Sequence, residues 1–143
     1  IAVPGPTDRA GANFIAGRIV AQVILRPLPS GTPNVALLFG YRDPQHYRYV
    51  RFYPSATEIG QVGVIDGQSP PLRRQLTHAL PVDLPQFVRI DVRPGGAVQV
   101  FAGGTPLGGL QFSAAVPGRV GVMTRNAQGV LDNFRLWART ILN

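Results

Sequence analysis

Residues 17–27, GRIVAQVILRP, alternate cleanly. Ile19, Ala21, Val23 and Leu25 fall on one side of an extended chain, and Val20, Gln22, Ile24 and Arg26 on the other. That period of two is the signature of a strand with one face turned to a core. The turn-forming run PLPSGTPN follows, and then VALLFGY, residues 35–41, apolar on both faces. RDPQH reads as a turn and YRYVRFY, Tyr47 to Tyr53, as the returning strand. EIGQVGVID, residues 58–66, adds a strand, DGQSPPLRR an exposed loop, and QLTHALPVDLPQ one short strand interrupted by Pro81 and Pro85. The clearest hairpin is FVRIDVRPGGAVQVFAGGTPLG. In it Val88, Ile90 and Val92 alternate with Arg89, Asp91 and Arg93, the turn is PGG, and Val98 and Val100 lie on the return. RVGVMTRN, 119–126, and GVLDNFRLWA, 129–138, read as the last pair of strands.

No window of eleven or more residues carries a helical stripe free of Gly and Pro. About nine or ten strands, with turn signals every 8–12 residues, predict an all-β chain folded as an antiparallel sandwich or jelly roll. The seventeen Gly and fourteen Pro are spread between the apolar runs, which suits many turns and not a low-complexity segment. At 143 residues the chain fits one domain, divided into an N-terminal arm or leader at 1–16, the sandwich at 17–138 and a tail at 139–143. It begins at Ile1 and not at Met, as a processed protein or a fragment of a longer one would. No apolar run approaches the roughly 20 residues that a membrane-spanning helix needs.

The order of these segments resembles the concanavalin A-like lectin/glucanase jelly rolls, particularly their laminin-G-like and bacterial sugar-associated branches. The segments that carry the likeness are LFGYRDPQHYRYVRFY, a loop closing on DGQ, then FVRIDVRPGGAVQVFAGGTPLG, RVGVMTRN and LDNFRLW. Each is mostly strand periodicity and glycine, so the order carries the resemblance, over roughly residues 17–138. It implies two curved sheets stacked about 10 Å apart and a role among carbohydrate-binding modules, adhesion domains, glycosidases or structural surface and virion proteins. Fold alone does not choose among these. The resemblance also sets Asp132 and Asn133 where related domains sometimes hold calcium, although short polar side chains in a tight corner also cap backbone groups.

Chemistry narrows the choice. A glycosidase usually needs two carboxylates flanking the scissile bond. The chain has a single glutamate, Glu58, and no second carboxylate before Asp66; a pair assembled across the fold, such as Asp43 with Asp91, has no support in the sequence. There is no G-x-S-x-G, and His46 and His78 fall in turn or loop context. The expectation is therefore no enzyme. Cysteine is absent, which excludes disulfides and thiolate metal sites.

Charge and aromatics point to binding. The net charge is +7, all fourteen basic residues are arginines, and they are scattered along the chain, so a polyanion is attracted without a contiguous basic block. In YRYVRFY, Tyr47, Tyr49, Arg51 and Tyr53 share one face, and His46, Arg48, Val50 and Phe52 share the other, which makes the better core wall. Tyrosine rings that stack on sugar faces, with Arg reaching hydroxyls, form a shallow saccharide site. For any single tyrosine the alternative is cross-strand packing against Val35, Leu37, Phe39 or their neighbours. The group, with Tyr41 and Arg42 nearby, is the expected ligand-binding set: Tyr41, Arg42, Tyr47, Tyr49, Arg51 and Tyr53. Replacing Tyr49 and Arg51 together by Ala is expected to abolish glycan retention with little effect on thermal unfolding.

The resulting expectation is a non-catalytic, lectin-like carbohydrate-binding domain, secreted or surface-exposed, whose net charge would favour an acidic ligand and whose only cofactor would be structural calcium. The alternative is a structural or adhesion subunit of a surface assembly, filament or virion, acting through protein contacts. Nucleic acid, which would use the same aromatics and arginines, ranks behind both.

Overall fold

The computed structural model describes residues 14–26, 34–65, 67–68, 73–76 and 81–123, together with the backbone path of 129–137. Ten strands run in chain order among them: β1 Gly17–Leu25, β2 Val35–Asp43, β3 His46–Phe52, β4 Thr57–Val62, β5 Arg73–Leu76, β6 Gln86–Val92, β7 Ala97–Ala102, β8 Thr105–Gln111, β9 Arg119–Met123 and β10 Gly129–Trp137. They form two five-stranded sheets, ordered β10-β1-β6-β7-β8 and β5-β4-β3-β2-β9. Every strand pairing within them is antiparallel. The all-β antiparallel sandwich expected from the periodicity is the architecture found.

The alternation in β1 is realised residue by residue. Ile19, Ala21, Val23 and Leu25 are buried, and meet Val35, Leu37 and Phe39 of β2, Val50 and Phe52 of β3, and Val88, Ile90 and Val92 of β6 in one core between the sheets. Each such large aliphatic or aromatic side chain contributes on the order of 1.5–3 kcal/mol by leaving water. Phe14, which the sequence placed in the N-terminal arm, belongs to this core. Its backbone bridges Gly118 and its ring is buried, so the sandwich begins before residue 17. The hairpin at PGG closes with Arg93 N–H donating to the Ala97 carbonyl and Gly96 N–H to the Arg93 carbonyl, both at 2.9 Å. Gly96 takes φ +97° there, a conformation that side-chain-bearing residues avoid.

Three expectations are corrected. The described strands of the last two segments, β9 and β10, do not pair with each other. β9 joins β2 in one sheet and β10 joins β1 in the other, because the jelly-roll path crosses from sheet to sheet between them. Arg73 and Arg74, read as loop, open β5. The short strand expected within 75–86 is met at its start by Gln75 and Leu76, the end of β5; the described residues 81–85 add a bridge from Leu25 to Val82. β8 was not separated from the preceding hairpin, because TPLGGLQ has a proline, two glycines and no alternation to announce it.

One end of the sandwich is tied by a buried arginine. Arg48 faces inward as its alternation with Val50 and Phe52 requires, and is only 1% exposed. Its Nε donates to Gln61 Oε1 at 3.0 Å and its Nη1 to the Ala114 carbonyl at 2.6 Å, while its guanidinium carbon sits 4.2 Å from the centroid of the Phe112 ring. Gln61 Nε2 in turn donates to the carbonyls of Gly63 and Gln68, and Gln68 Oε1 accepts the Ser113 N–H. A charge in a core is tolerated only where it is hydrogen-bonded in this way. The sequence showed which way Arg48 points and gave no sign of its partners.

Candidate functional site

The outer face of the β5-β4-β3-β2-β9 sheet, turned away from the main core, carries the tyrosines. Cross-strand register arranges its residues in rows. Met123, Ala36, Arg51, Glu58 and Gln75 lie side by side; the next row holds Gly121, Leu38, Tyr49, Gly60 and Arg73. Beyond it Tyr47 stands opposite Val62, and Tyr41, past an irregularity in β2, stands opposite Arg119. Large side chains therefore alternate with Ala and Gly across this face, and the small residues leave room for the large ones to lie down over the sheet.

Tyr49 does this fully. A Cβ built on Gly60 would meet the Tyr49 hydroxyl at 2.5 Å and its ring carbons at 2.6 and 2.9 Å, so the ring lies over β4 where only glycine leaves space. Its hydroxyl donates to Glu58 Oε1 at 2.6 Å. Arg51, opposite Glu58 in the same row, has its guanidinium 5.8 Å from the ring centroid, and its Nη1 donates to Asn34 Oδ1. Partial burial, then the hydrogen bond and negative charge of Glu58, push the Tyr49 phenol well above its ordinary value of 10.0; the positive charges of Arg51 and Arg73 pull the other way. Tyr49 is thus a neutral donor throughout the physiological range, with its ring half-open.

The rings form a ladder. Tyr41 stacks on Tyr47 at 5.8 Å between centroids, and Tyr47 meets Tyr49 edge-on at 6.2 Å. This shields the middle rung. Tyr47 is 2% exposed, inside a second apolar cluster with Ala36, Leu38 and Met123 against Tyr41, Tyr49 and Val62. Arg51, at 6%, is also buried.

The expected set is therefore split. Tyr41, Tyr47, Tyr49 and Arg51 are brought together on one face, and Tyr41 and Tyr49 stay half-buried with ring surface open. The exposure expected of Tyr47 and Arg51 is corrected: they are the floor on which the open rings rest. The packing alternative is met through the neighbours it allowed: the tyrosines meet Ala36 and Leu38, while Val35, Leu37 and Phe39 lie on the opposite face of β2 in the main core. Tyr53 lies just past β3 in a turn closed by its own N–H to the Ala56 carbonyl at 2.9 Å, and Arg42 is exposed near the β2–β3 turn; neither joins the ladder. Glu58, Gly60, Arg73 and Gln75 were missed, because which residue of a neighbouring strand stands beside a tyrosine is a matter of register.

The carboxylates are dispersed. Asp43 sits at the β2–β3 turn, where it accepts the Gln45 N–H and contacts His46 Nδ1, each at 2.8 Å. The His46 hydrogen bond first, then that of Gln45, holds Asp43 below its usual value. Asp91 is on the other sheet, paired with Arg18 at 2.9 Å and Arg89 at 3.5 Å, and Asp83 contacts Arg26 at 3.4 Å. Asp43 and Asp91 are not brought together. Among the described residues no group of three His, Cys, Asp or Glu side chains is placed to hold a metal ion. The calcium expectation at Asp132 and Asn133 falls on residues whose side chains lie outside the described set.

No family model matches the sequence, and no curated protein does. Solved structures do match the fold. The carbohydrate-binding module CBM66 from Bacillus subtilis superposes with a TM-score of 0.69 at 12% identity, covering 86% of this chain and 75% of that one. Sheep galectin-11, solved in complex with glycerol, gives 0.53 at 13% identity, over 81% and 90%. The Crh5 transglycosylase gives 0.53 at 14%, over 77% of this chain but only 49% of the enzyme, so this chain spans about half its length. At such identities the likeness is one of fold, an antiparallel jelly-roll β-sandwich as the strand pattern predicted.

Proposed function

We propose that this domain binds carbohydrate without transforming it, through the flank of the tyrosine-bearing face formed by β3, β4 and β5. The observation that carries the reading is the Tyr49 ring, laid over Gly60 and held by the Glu58 carboxylate beside the Arg51 guanidinium. A half-open aromatic ring on a packed floor suits the apolar face of a pyranose, and Glu58, Arg73 and Gln75 beside it supply polar groups for hydroxyls. The same fold serves a carbohydrate-binding module and a galectin as well as a transglycosylase, so the absence of catalysis is argued from chemistry. The carboxylate on this face is committed to the Tyr49 hydroxyl, and the described aspartates sit elsewhere. Export or display at a surface accords with this role; among the described residues no helix is long and apolar enough to cross a membrane. The described arginines are divided between both sheets and the core, which counts against a continuous track for nucleic acid.

Retention on a glycan panel tests the reading. Tyr49→Ala is expected to weaken retention at least tenfold, and Phe87→Ala, on the outer face of the other sheet, to leave it unchanged. Loss with Phe87→Ala alone, or retention of no glycan, refutes it. That Phe87 ring, 58% exposed next to an Arg89 guanidinium stacked 3.8 Å over Phe101, favours the second reading, a subunit working through protein contacts. Self-association in light scattering that is lost in Phe87→Ala would support it.

A further inference from the structure

We infer that the saccharide taken at the β3–β4–β5 flank is acidic, its carboxylate or sulfate seated on Arg73 beside the Tyr49 ring. This rests on the carbohydrate reading and names its ligand class. Most polar groups here are already committed: Glu58 accepts from Tyr49, and Arg51 donates to Asn34. Arg73 is different. It is exposed, it stands on the edge strand β5 opposite Gly60, and among the described residues it has no ion-pair partner. Its charge is felt at the Tyr49 hydroxyl, and with Arg51 buried against Asn34 Arg73 is an exposed guanidinium left to meet a substituent of a stacked sugar.

Glu58 is committed to the Tyr49 hydroxyl and stands opposite Arg51 in the neighbouring row, whereas Arg73 shares its row with Gly60, which has no side chain to contest an anion. A neutral sugar covering Arg73 would strip water from a guanidinium and return only neutral acceptors. A carboxylate or sulfate matches its planar fork and returns charge-assisted hydrogen bonds.

The test uses matched polysaccharides in affinity electrophoresis at physiological salt: polygalacturonate against its fully methyl-esterified form, and dextran sulfate against dextran. Retention by the acidic member of either pair and not by its neutral partner is expected; which pair responds separates carboxylate from sulfate. Arg73→Gln should weaken that retention about tenfold. Arg93→Gln, an equal change of charge at the exposed β6–β7 turn of the other sheet, should change it less than twofold. Equal retention by the neutral members overturns the acidic assignment and leaves carbohydrate binding standing. Retention by none of the four overturns the assignment, and an empty result on the wider glycan panel then removes the carbohydrate reading as well. Equal losses in the two arginine variants would mean bulk attraction and overturn the site. Competition by single-stranded DNA with the same dependence on Arg73 overturns it in favour of nucleic acid.

Discussion

Gly60→Ala isolates the geometry on which the binding reading stands. Gly60 has no strained backbone angle, so β4 itself accepts alanine. What does not accept it is the Tyr49 ring, whose hydroxyl and nearest carbons lie 2.5–2.9 Å from the new methyl position. Those atoms are the far end of a side chain, so the ring swings off β4 while the backbone stays. The swing breaks the hydrogen bond to Glu58. A bond to a charged group contributes about 1.5–3 kcal/mol when buried, and about 1 kcal/mol is the fitting figure for a half-open one that water replaces. Against this, removing a glycine from the unfolded chain stabilises by about 0.4–1 kcal/mol. The balance is a loss of ~0–1 kcal/mol, or at most about 4 °C in melting temperature for a domain of this size.

Binding should respond far more. If the ring contact contributes ~1.5 kcal/mol, glycan affinity falls about tenfold, and the raised Tyr49 phenol moves back toward its ordinary value in a phenolate absorbance titration. Tyr49→Phe is the comparator: it loses the same hydrogen bond but leaves the ring over Gly60, so it should keep most of the affinity. A Gly60→Ala protein with the parent's phenolate titration and the parent's affinity would show that the ring does not lie where binding needs it.

Because folding raises the Tyr49 pKa above the 10.0 of the unfolded chain, its contribution to stability is fully present below pH 10 and is lost as pH rises beyond it. The melting temperature should therefore fall more steeply between about pH 10 and about pH 11 in the parent than in Tyr49→Phe; parallel curves would contradict this. Arg48→Ala should destabilise by about 3–5 kcal/mol, since it opens a cavity beside Phe112 and strips the Ala114 carbonyl and Gln61 of a donor. Chemical denaturation reads the value, and a loss under ~1 kcal/mol would show that the buried guanidinium is not what ties that end of the sandwich.

What could be read from the sequence and what could not divide along a physical line. β1 and the β6–β7 hairpin were legible because each strand records, by alternation, which of its faces meets the core. β2, apolar on both faces, was correctly a strand covered on both sides: Val35, Leu37 and Phe39 enter the main core, and Ala36 and Leu38 the outer cluster. Alternation says nothing of which strand lies alongside. That is why β9 and β10 were joined wrongly and why Gly60 was not seen beneath Tyr49. The same limit explains Tyr47. The sequence placed it on the outer face, where it is, but burial came from rings at positions 41 and 49 closing over it. For the same reason the expected fold-neutral removal of Tyr49 and Arg51 together no longer holds: Arg51 is part of the floor, so that double variant loses stability along with any ligand.

The division of the tyrosine face into a buried floor and an open edge bears on affinity. A shallow saccharide site gains little area, so the entropy lost in ordering its own side chains weighs heavily; each freely rotating group fixed on binding costs about 0.5–1.5 kcal/mol. Here that ordering is already done in the free protein. Tyr47 is wedged between two rings, Arg51 is fixed on Asn34, and Tyr49 is pinned by Glu58 above and by the bareness of Gly60 below. Only Arg73 and Gln75, exposed on an edge strand, remain to be ordered by a ligand. In the proposed site a rigid ring beside an exposed charge would separate two tasks: the ring would fix where a sugar lies, and the arginine would select what that sugar must carry.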